Sequence, residues 1–357
     1  MTRIARAKEL MSKHEVDGIL LKDESTIRYL TGFTGDSSLL YLSSKRALLI
    51  TDGRYTEQAQ QEMKYFEAYE YKPTGSESIW EAAVNFAKED GLKALGFDGS
   101  HYSFTEYNTL KNLLGTIQLK SMDFSGIRII KDGKELEYLL RAALIADQAF
   151  TKLLEEIKPG VSEKELAAKL EYYMRVLGSE KVSFDTIVAS GARSALPHGA
   201  ASEKIIEAGD FVTFDFGAVY KGYHSDMTRT IVVGKASPWQ KEIYSIVEKA
   251  QAEGMKAARL GMTGKELDAI VREVIEKSGY GDKYIHGTGH GVGLEIHELP
   301  NINKRGEQKL QAGMIFSIEP GIYIPHKGGV RIEDTVVLTE NGARALNGIG
   351  KQLIEIV

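Results

Sequence analysis

The chain has 357 residues, 43% hydrophobic and 27% charged, with a formal net charge of -5 and no cysteine. That length allows two domains at roughly 100 to 200 residues each, and the lack of cysteine excludes disulfides, thiolate nucleophiles and sulfur-ligated metal, so any metal must be held by His, Asp or Glu. The acidic balance offers no basic face to nucleic acid, and every strong apolar run is shorter than the roughly 18 residues of a membrane span, so neither is expected as a partner.

The opening segment MTRIARAKELMSKHEVDGIL mixes charged and apolar residues at helical spacing, without the continuous apolar stretch of a secretory signal, and a cytoplasmic location is expected. GILLKD, SLLYLSSKRALLIT and KALGFD then read as short strands of a small α/β domain. Residues 127–133 lead into a long amphipathic helix, KELEYLLRAALIADQAFTKLLEEI, which Lys158-Pro159-Gly160 ends. The expected division is an N-terminal domain over 1–126 and a second domain over 127–357.

The second domain contains a repeat. Gly160-Val161-Ser162-Glu163-Lys164-Glu165-Leu166 and Gly261-Met262-Thr263-Gly264-Lys265-Glu266-Leu267 share G-x-[ST]-x-K-E-L, and each reads as the capped start of a helix. GDFVTFDFG from Gly209 and GMIFSIEPG from Gly313 share G-x5-[DE]-x-G. The two pairs recur in the same order at offsets of 101 and 104 residues (160 to 261, 209 to 313). A duplicated helix-helix-strand unit with approximate two-fold symmetry follows, and with it Asp215 and Glu319 facing one cleft.

Each of these acids sits in an apolar strand, where a charge is costly unless it is paired or bound to metal. A further acid follows each: Asp226 in HSDMTRTIVV and Glu333 in GGVRIEDTVVL. Four carboxylates in one cleft repel one another, and two divalent cations would balance their formal charge. Oxygen-rich ligation suits Mn, with Co, Zn or Fe as alternatives. One nitrogen ligand is expected, and His290 in His286-Gly287-Thr288-Gly289-His290-Gly291-Val292-Gly293 is the best candidate, its glycines allowing close backbone approach. The same run fits neither G-x-x-x-x-G-K-[ST] nor G-x-G-x-x-G before a helix, which ranks nucleotide binding below metal.

At this point the sequence resembles the proline-specific branch of the pita-bread metallopeptidases, the Xaa-Pro dipeptidases (prolidases) and Xaa-Pro aminopeptidases. DFGAVYKGYHSDMTRT, HGTGHGVGLEIHELP, SIEPGIY and GGVRIEDTVVL carry the likeness in the second domain, and YLTGFTGDSS and TDGRYTEQA carry it in the first. The resemblance implies an α+β pita-bread catalytic domain with pseudo-two-fold symmetry, preceded by a smaller α/β creatinase-like domain. It implies that Asp215 binds one metal, that His290 and Glu319 bind the other, and that Asp226 and Glu333 bridge the two. It adds His198, His297, Arg331 and Tyr323 as substrate-site residues, with His198, His297, Glu319 and Arg331 taking part in catalysis.

From the residues alone His198 reads equally as a loop histidine, and Arg331 as a salt-bridge partner on the same strand face as Glu333. His14, His101, His224, His286 and His326 receive no role, and Trp80 and Trp239 read as packing residues. The implied function is hydrolysis of Xaa-Pro bonds, with dipeptides as the leading substrates and an Xaa-Pro aminopeptidase acting on longer peptides as the alternative, small peptides with proline in second position as partners, and a homodimer as the family's habit. Rival readings are a methionine aminopeptidase, against which the extra N-terminal domain counts; creatinase-like chemistry, against which the complete ligand set counts; and a non-enzymatic module of the same fold, which metal binding would separate.

Overall fold

A computed structural model describes residues 2–75 and 77–357. The chain divides into two compact units between Arg128 and Ile129, two residues beyond the boundary expected from the sequence.

The first unit is built on six strands, β1 (Gly18–Leu21), β2 (Leu39–Ser43), β3 (Ala47–Thr51), β4 (Glu67–Glu70), β5 (Ala94–Asp98) and β6 (Gln118–Met122), in the order β4-β3-β2-β1-β5-β6. Helices α1 (Arg3–Lys13), α2 (Glu24–Thr31), α3 (Thr56–Glu62), α4 (Ile79–Asp90) and α5 (Phe104–Leu114) connect them. The run SLLYLSSKRALLIT folds as the antiparallel pair β2/β3, and Leu20, Tyr41, Ile50, Ala83 and Leu110 share one core. Strands β4 and β6 were not expected: they are the edges of the sheet, and their sequences EAYE and QLKSM are mostly exposed or half-exposed, so they lack the apolar alternation that marks an inner strand.

The second unit contains the repeat. Its first copy runs α6 (Gly133–Leu154), α7 (Glu163–Val176), β7 (Ile187–Ser190), β8 (Phe211–Phe216), the short pair β9 (Val219–Tyr220) and β10 (Tyr223–His224), and β11 (Met227–Val233). Its second copy runs α8 (Pro238–Ala257), α9 (Gly264–Lys277), β12 (Gly289–Gly291), β13 (Glu298–Ile302), β14 (Ile315–Ile318), the pair β15 (Gly321–Ile324) and β16 (Gly328–Arg331), and β17 (Glu333–Thr339), followed by β18 (Gly342–Ala345) and β19 (Ile354–Ile356). The predicted caps are present: Ser162 accepts from the Glu165 N–H, and Thr263 forms a reciprocal box with Glu266.

The main sheet has the order β13-β12-β14-β17-β11-β8-β7, so β12-β14-β17 mirrors β7-β8-β11 about its centre. At that centre β11 and β17 pair only at Met227↔Asp334 and Thr228↔Glu333; further along, β11 takes β19 and β17 takes β18. Strand parity separates two faces. Val212, Phe214 and Phe216 of β8 pack on α6 and α7, while Phe316 and Ile318 of β14, with Val336 and Leu338 of β17, pack on α8 and α9. The opposite face carries Asp215, Ser317, Thr228 and Glu333, of which Asp215 and Glu333 line a cavity.

Candidate metal centre and active site

The alternation that buries Phe214 and Phe216 turns Asp215, between them, into the cavity. Asp226 precedes β11, with its carbonyl held by the Thr335 hydroxyl at 2.8 Å. Glu333 opens β17 and accepts from the Thr228 hydroxyl at 2.6 Å. Asp215, Asp226 and Glu333 each offer a carboxylate oxygen, and these atoms lie within 4.8 Å of one another. Glu319 follows β14; the Ser317 hydroxyl donates to it at 3.0 Å, and its own N–H donates to the Thr288 carbonyl at 2.8 Å.

His290 occupies β12 with its Nε2 3.4 Å from both Asp226 and Glu319. The flanking glycines are needed for this approach: a Cβ on Gly289 would stand 2.0 Å from the Ser317 carbonyl, and one on Gly291 would stand 2.1 Å from that of Leu299. All five residues predicted as metal ligands therefore border one cavity of about 550 Å³.

The electrostatics show what this group lacks. Burial first, then Asp215 and Glu319, push the Asp226 carboxyl well above its ordinary range, and burial with Asp226 and Glu319 does the same to Glu333. Glu319 is pushed up to about 7 by burial, with Asp215 adding to the shift and Arg331 opposing it. His290 is lowered by burial and so is neutral. Its Nδ1 lies 3.0 Å from the Gly291 carbonyl, which can only accept, so the proton is on Nδ1 and the Nε2 lone pair faces two carboxylates. The buried Oδ1 of Asp215 has no hydrogen-bond partner. A lone pair and an unpartnered oxygen directed among repelling acids fit divalent cations, and a histidine fixed through a backbone carbonyl is the usual way to orient such a ligand.

Arg331 ends β16, and Glu333 begins β17 after a break at Ile332, so the two do not share one strand as expected, although both face the cavity. The chain passes from the β15/β16 pair into the main sheet there. Arg331 Nη2 contacts the Asp215 carboxylate, Nε donates to the Thr228 hydroxyl at 3.0 Å, and Nη1 donates to the Pro197 carbonyl at 3.1 Å and to the Tyr323 hydroxyl at 2.9 Å. His198 and His297 line the cavity, and the His297 ring meets that of His290 edge to face at 4.3 Å.

Tyr323 is buried behind the wall, where its hydroxyl lies 2.8 Å from His286 Nε2. His286 itself lines the cavity and was missed, because a lone histidine four residues before His290 has no distinguishing pattern. Phe184, Asp185 and Ile187, also on the wall, were missed because a strand-edge residue carries no chemical mark in sequence. His224 is buried against Ser183, its Nδ1 2.9 Å from the hydroxyl. Trp80 and Trp239 pack on Tyr102 and Phe211, respectively.

Residues 137–340 match the family described as Metallopeptidase family M24, and residues 3–130 match the Creatinase/Prolidase N-terminal domain. An Xaa-Pro dipeptidase of Pyrococcus furiosus is 43% identical over 356 residues, covering 99% of each chain. The solved structure of an Xaa-Pro dipeptidase from Bacillus anthracis superposes with a TM-score of 0.95 at 44% identity, covering 99% of each chain. That of an X-Pro aminopeptidase from Thermotoga maritima gives a TM-score of 0.90 at 38% identity, covering 98% of this chain and 99% of the other.

Proposed function

This chain belongs to metallopeptidase family M24, and we propose that it hydrolyses the bond between an N-terminal residue and a following proline, with Xaa-Pro dipeptides as its substrates. The observation that carries this reading is the convergence of Asp215, Asp226, Glu319, Glu333 and His290 on one cavity that also bears His198, His297 and Arg331.

Those five donors would hold two divalent ions, with Mn ahead of Co, Zn and Fe because four of the five ligands are carboxylates. Asp226 and Glu333, whose carboxylate oxygens lie within 4.8 Å of one of Asp215, would be the shared pair. Bound ions would polarise the scissile carbonyl and lower the pKa of a water to near neutrality. Glu319 takes the proton of the attacking water and returns it to the proline nitrogen as the C–N bond breaks. His297 donates a hydrogen bond to the oxygen that gains charge at the tetrahedral carbon, and His198 orients the proline side of the substrate. Arg331, tied to Tyr323, orients the Asp215 carboxylate. Proline supplies no N–H and fixes φ, so the leaving side needs a site that accepts a ring rather than one that hydrogen-bonds an amide. On the family likeness we read the enzyme as a cytoplasmic homodimer; among the described residues no helix is long and apolar enough to cross a membrane.

The test is hydrolysis of an Xaa-Pro dipeptide and of an Xaa-Pro-Yaa tripeptide by metal-stripped protein resupplied with Mn, Co or Zn. Turnover of the dipeptide is expected. Turnover of the tripeptide alone would make the enzyme an aminopeptidase, and turnover of neither would sink the reading.

A further inference from the structure

Behind the ligand strands, on the face that packs against the helices, lies a second charged cluster that the reaction does not use. Parity puts it there: Glu333, which lines the cavity, and Thr228, whose hydroxyl donates to it, point to the cavity side, so the next residue of each strand, Arg229 and Asp334, faces the other way. Both are almost fully buried, at 1% and 2% exposure. All five N–H donors of Arg229 are matched by five acceptors. Nε donates to the Gly350 carbonyl at 3.1 Å; Nη1 donates to those of Thr228 and Glu333 at 2.9 and 2.5 Å; Nη2 donates to Asp334 Oδ1 at 2.7 Å and to the Ile349 carbonyl at 2.6 Å.

The second oxygen of Asp334 accepts from Lys351 Nζ at 2.7 Å and Gln251 Nε2 at 3.3 Å. Segment 347–351 is tied down along its length: the Thr335 N–H donates to Asn347 Oδ1 at 3.2 Å, Gly348 N–H to Asp147 at 2.6 Å, and the Tyr244 hydroxyl to the Lys351 carbonyl at 2.8 Å.

A buried ion pair is a poor way to gain stability, since an apolar pair of similar volume commonly does as well. What an apolar pair cannot do is grip main-chain carbonyls. The two strand carbonyls that Arg229 grips belong to Thr228 and Glu333, which face each other where β11 and β17 meet. The strands pair at only two positions there, so few ladder bonds fix the offset between Asp226, just before β11, and Glu333.

We infer that Arg229 is a positioning residue that, with the strap 347–351, sets the spacing of the two shared carboxylates and so the affinity of the site for divalent ions. This rests on the proposed role of Asp226 and Glu333 as ligands. The clamp acts through the strand backbones and touches neither substrate nor metal.

The test is calorimetric titration of Mn(II) into stripped wild type, Arg229→Lys, Arg229→Met and Lys351→Met, with melting temperature and kcat and KM on an Xaa-Pro dipeptide measured in parallel. Lysine has three donors for five acceptors, so Arg229→Lys is expected to weaken Mn(II) about tenfold, and Arg229→Met about 30-fold. Lys351→Met, at the half-exposed end of the cluster, should weaken it about threefold. At limiting Mn(II) kcat should fall with KM within about twofold, and saturating Mn(II) should restore it. Leu153→Ala, a cavity in the α6 core, serves as a control for lowered stability and should bind Mn(II) as wild type does.

If Arg229→Met does not fold, Arg229→Lys and Lys351→Met carry the test. Wild-type affinity in a folded Arg229 variant would overturn the inference, as would an equal loss in Leu153→Ala. Wild type that binds Mn(II) yet cleaves no proline peptide would overturn the proposed function instead, and the affinity series would still decide the clamp.

Discussion

The first copy of the repeat delivers its acid from within a strand, Asp215 in β8, whereas the second delivers Glu319 from just past the end of one, β14. The supports behind them also come from different positions of the repeat, since at the 101-residue offset Glu163 matches Gly264 and Asp268 matches Ala167. In the first copy Glu163, at the start of α7 and fully buried, accepts from the Ser190 and Ser202 backbone N–H groups at 2.7 and 3.0 Å, from both their hydroxyls, and from Arg193 at 3.0 Å. In the second, Asp268 of α9 accepts from Thr288 N–H and hydroxyl at 3.1 and 2.8 Å and from Arg272 through two nitrogens. Each helix thus spends one buried carboxylate on anchoring a loop, and each loop carries histidines of the cavity: His198 in the first copy, His286 and His290 in the second. The comparison teaches that each copy anchors its loop with a buried carboxylate supplied from a different position, while among the described residues the proposed nitrogen ligand comes from the second copy and the acid of the first is gripped by Arg331 of the second.

The sharpest way to break the comparison is at its axis. Glu333→Gln removes a shared charge at the centre of the sheet while keeping its shape, and kcat on an Xaa-Pro dipeptide should fall at least about 1000-fold, roughly 4 kcal/mol of barrier, with the circular dichroism spectrum unchanged. Activity within tenfold of wild type would rule out a shared role for that residue. A smaller effect should separate the two copies. Glu163→Gln and Asp268→Asn each leave a buried set of donors short of a full charge and should each cost about 2 kcal/mol of stability, read as matched drops in melting temperature. Their kinetics should differ: Glu163→Gln loosens the His198 loop and should mainly raise KM, whereas Asp268→Asn frees Thr288, whose carbonyl holds the Glu319 N–H, and should mainly lower kcat. Identical kinetic profiles would show that the two anchors are not specialised.

The mildest test is titration. Burial holds the Glu319 carboxyl up at about 7, so below that pH it carries a proton that an incoming cation must displace, and burial raises Asp226 and Glu333 in the same direction. Mn(II) affinity should therefore rise from pH 6 to pH 8, and the protons released per ion, measured in buffers of different ionisation enthalpy, should fall over the same range. A flat affinity profile would count against the shared acidic site.

Much of this was legible before any coordinates. The two G-x-[ST]-x-K-E-L segments start α7 and α9, and the acids in the apolar runs FVTFDFG and MIFSIEPG border one cavity, because a charge in an otherwise apolar strand marks itself. Strands β4 and β6 were not legible, since an edge strand needs no apolar face. Tyr323 was expected at the substrate and instead stands behind Arg331, because sequence shows a residue's neighbourhood but not which side of a wall it occupies. Arg229 and Asp334 were passed over for a related reason: in TRT and RIED the eye goes to the residue that faces the cleft, although the parity that turns one side chain inward necessarily turns its neighbour to the back.

The proposed ligands are drawn from distant parts of the polypeptide, Asp215 and Glu333 lying 118 positions apart. On the proposed ligand set, a chain cut short after the first copy holds Asp215 and Asp226 but lacks His290, Glu319 and Glu333, and it is expected to bind no pair of divalent ions.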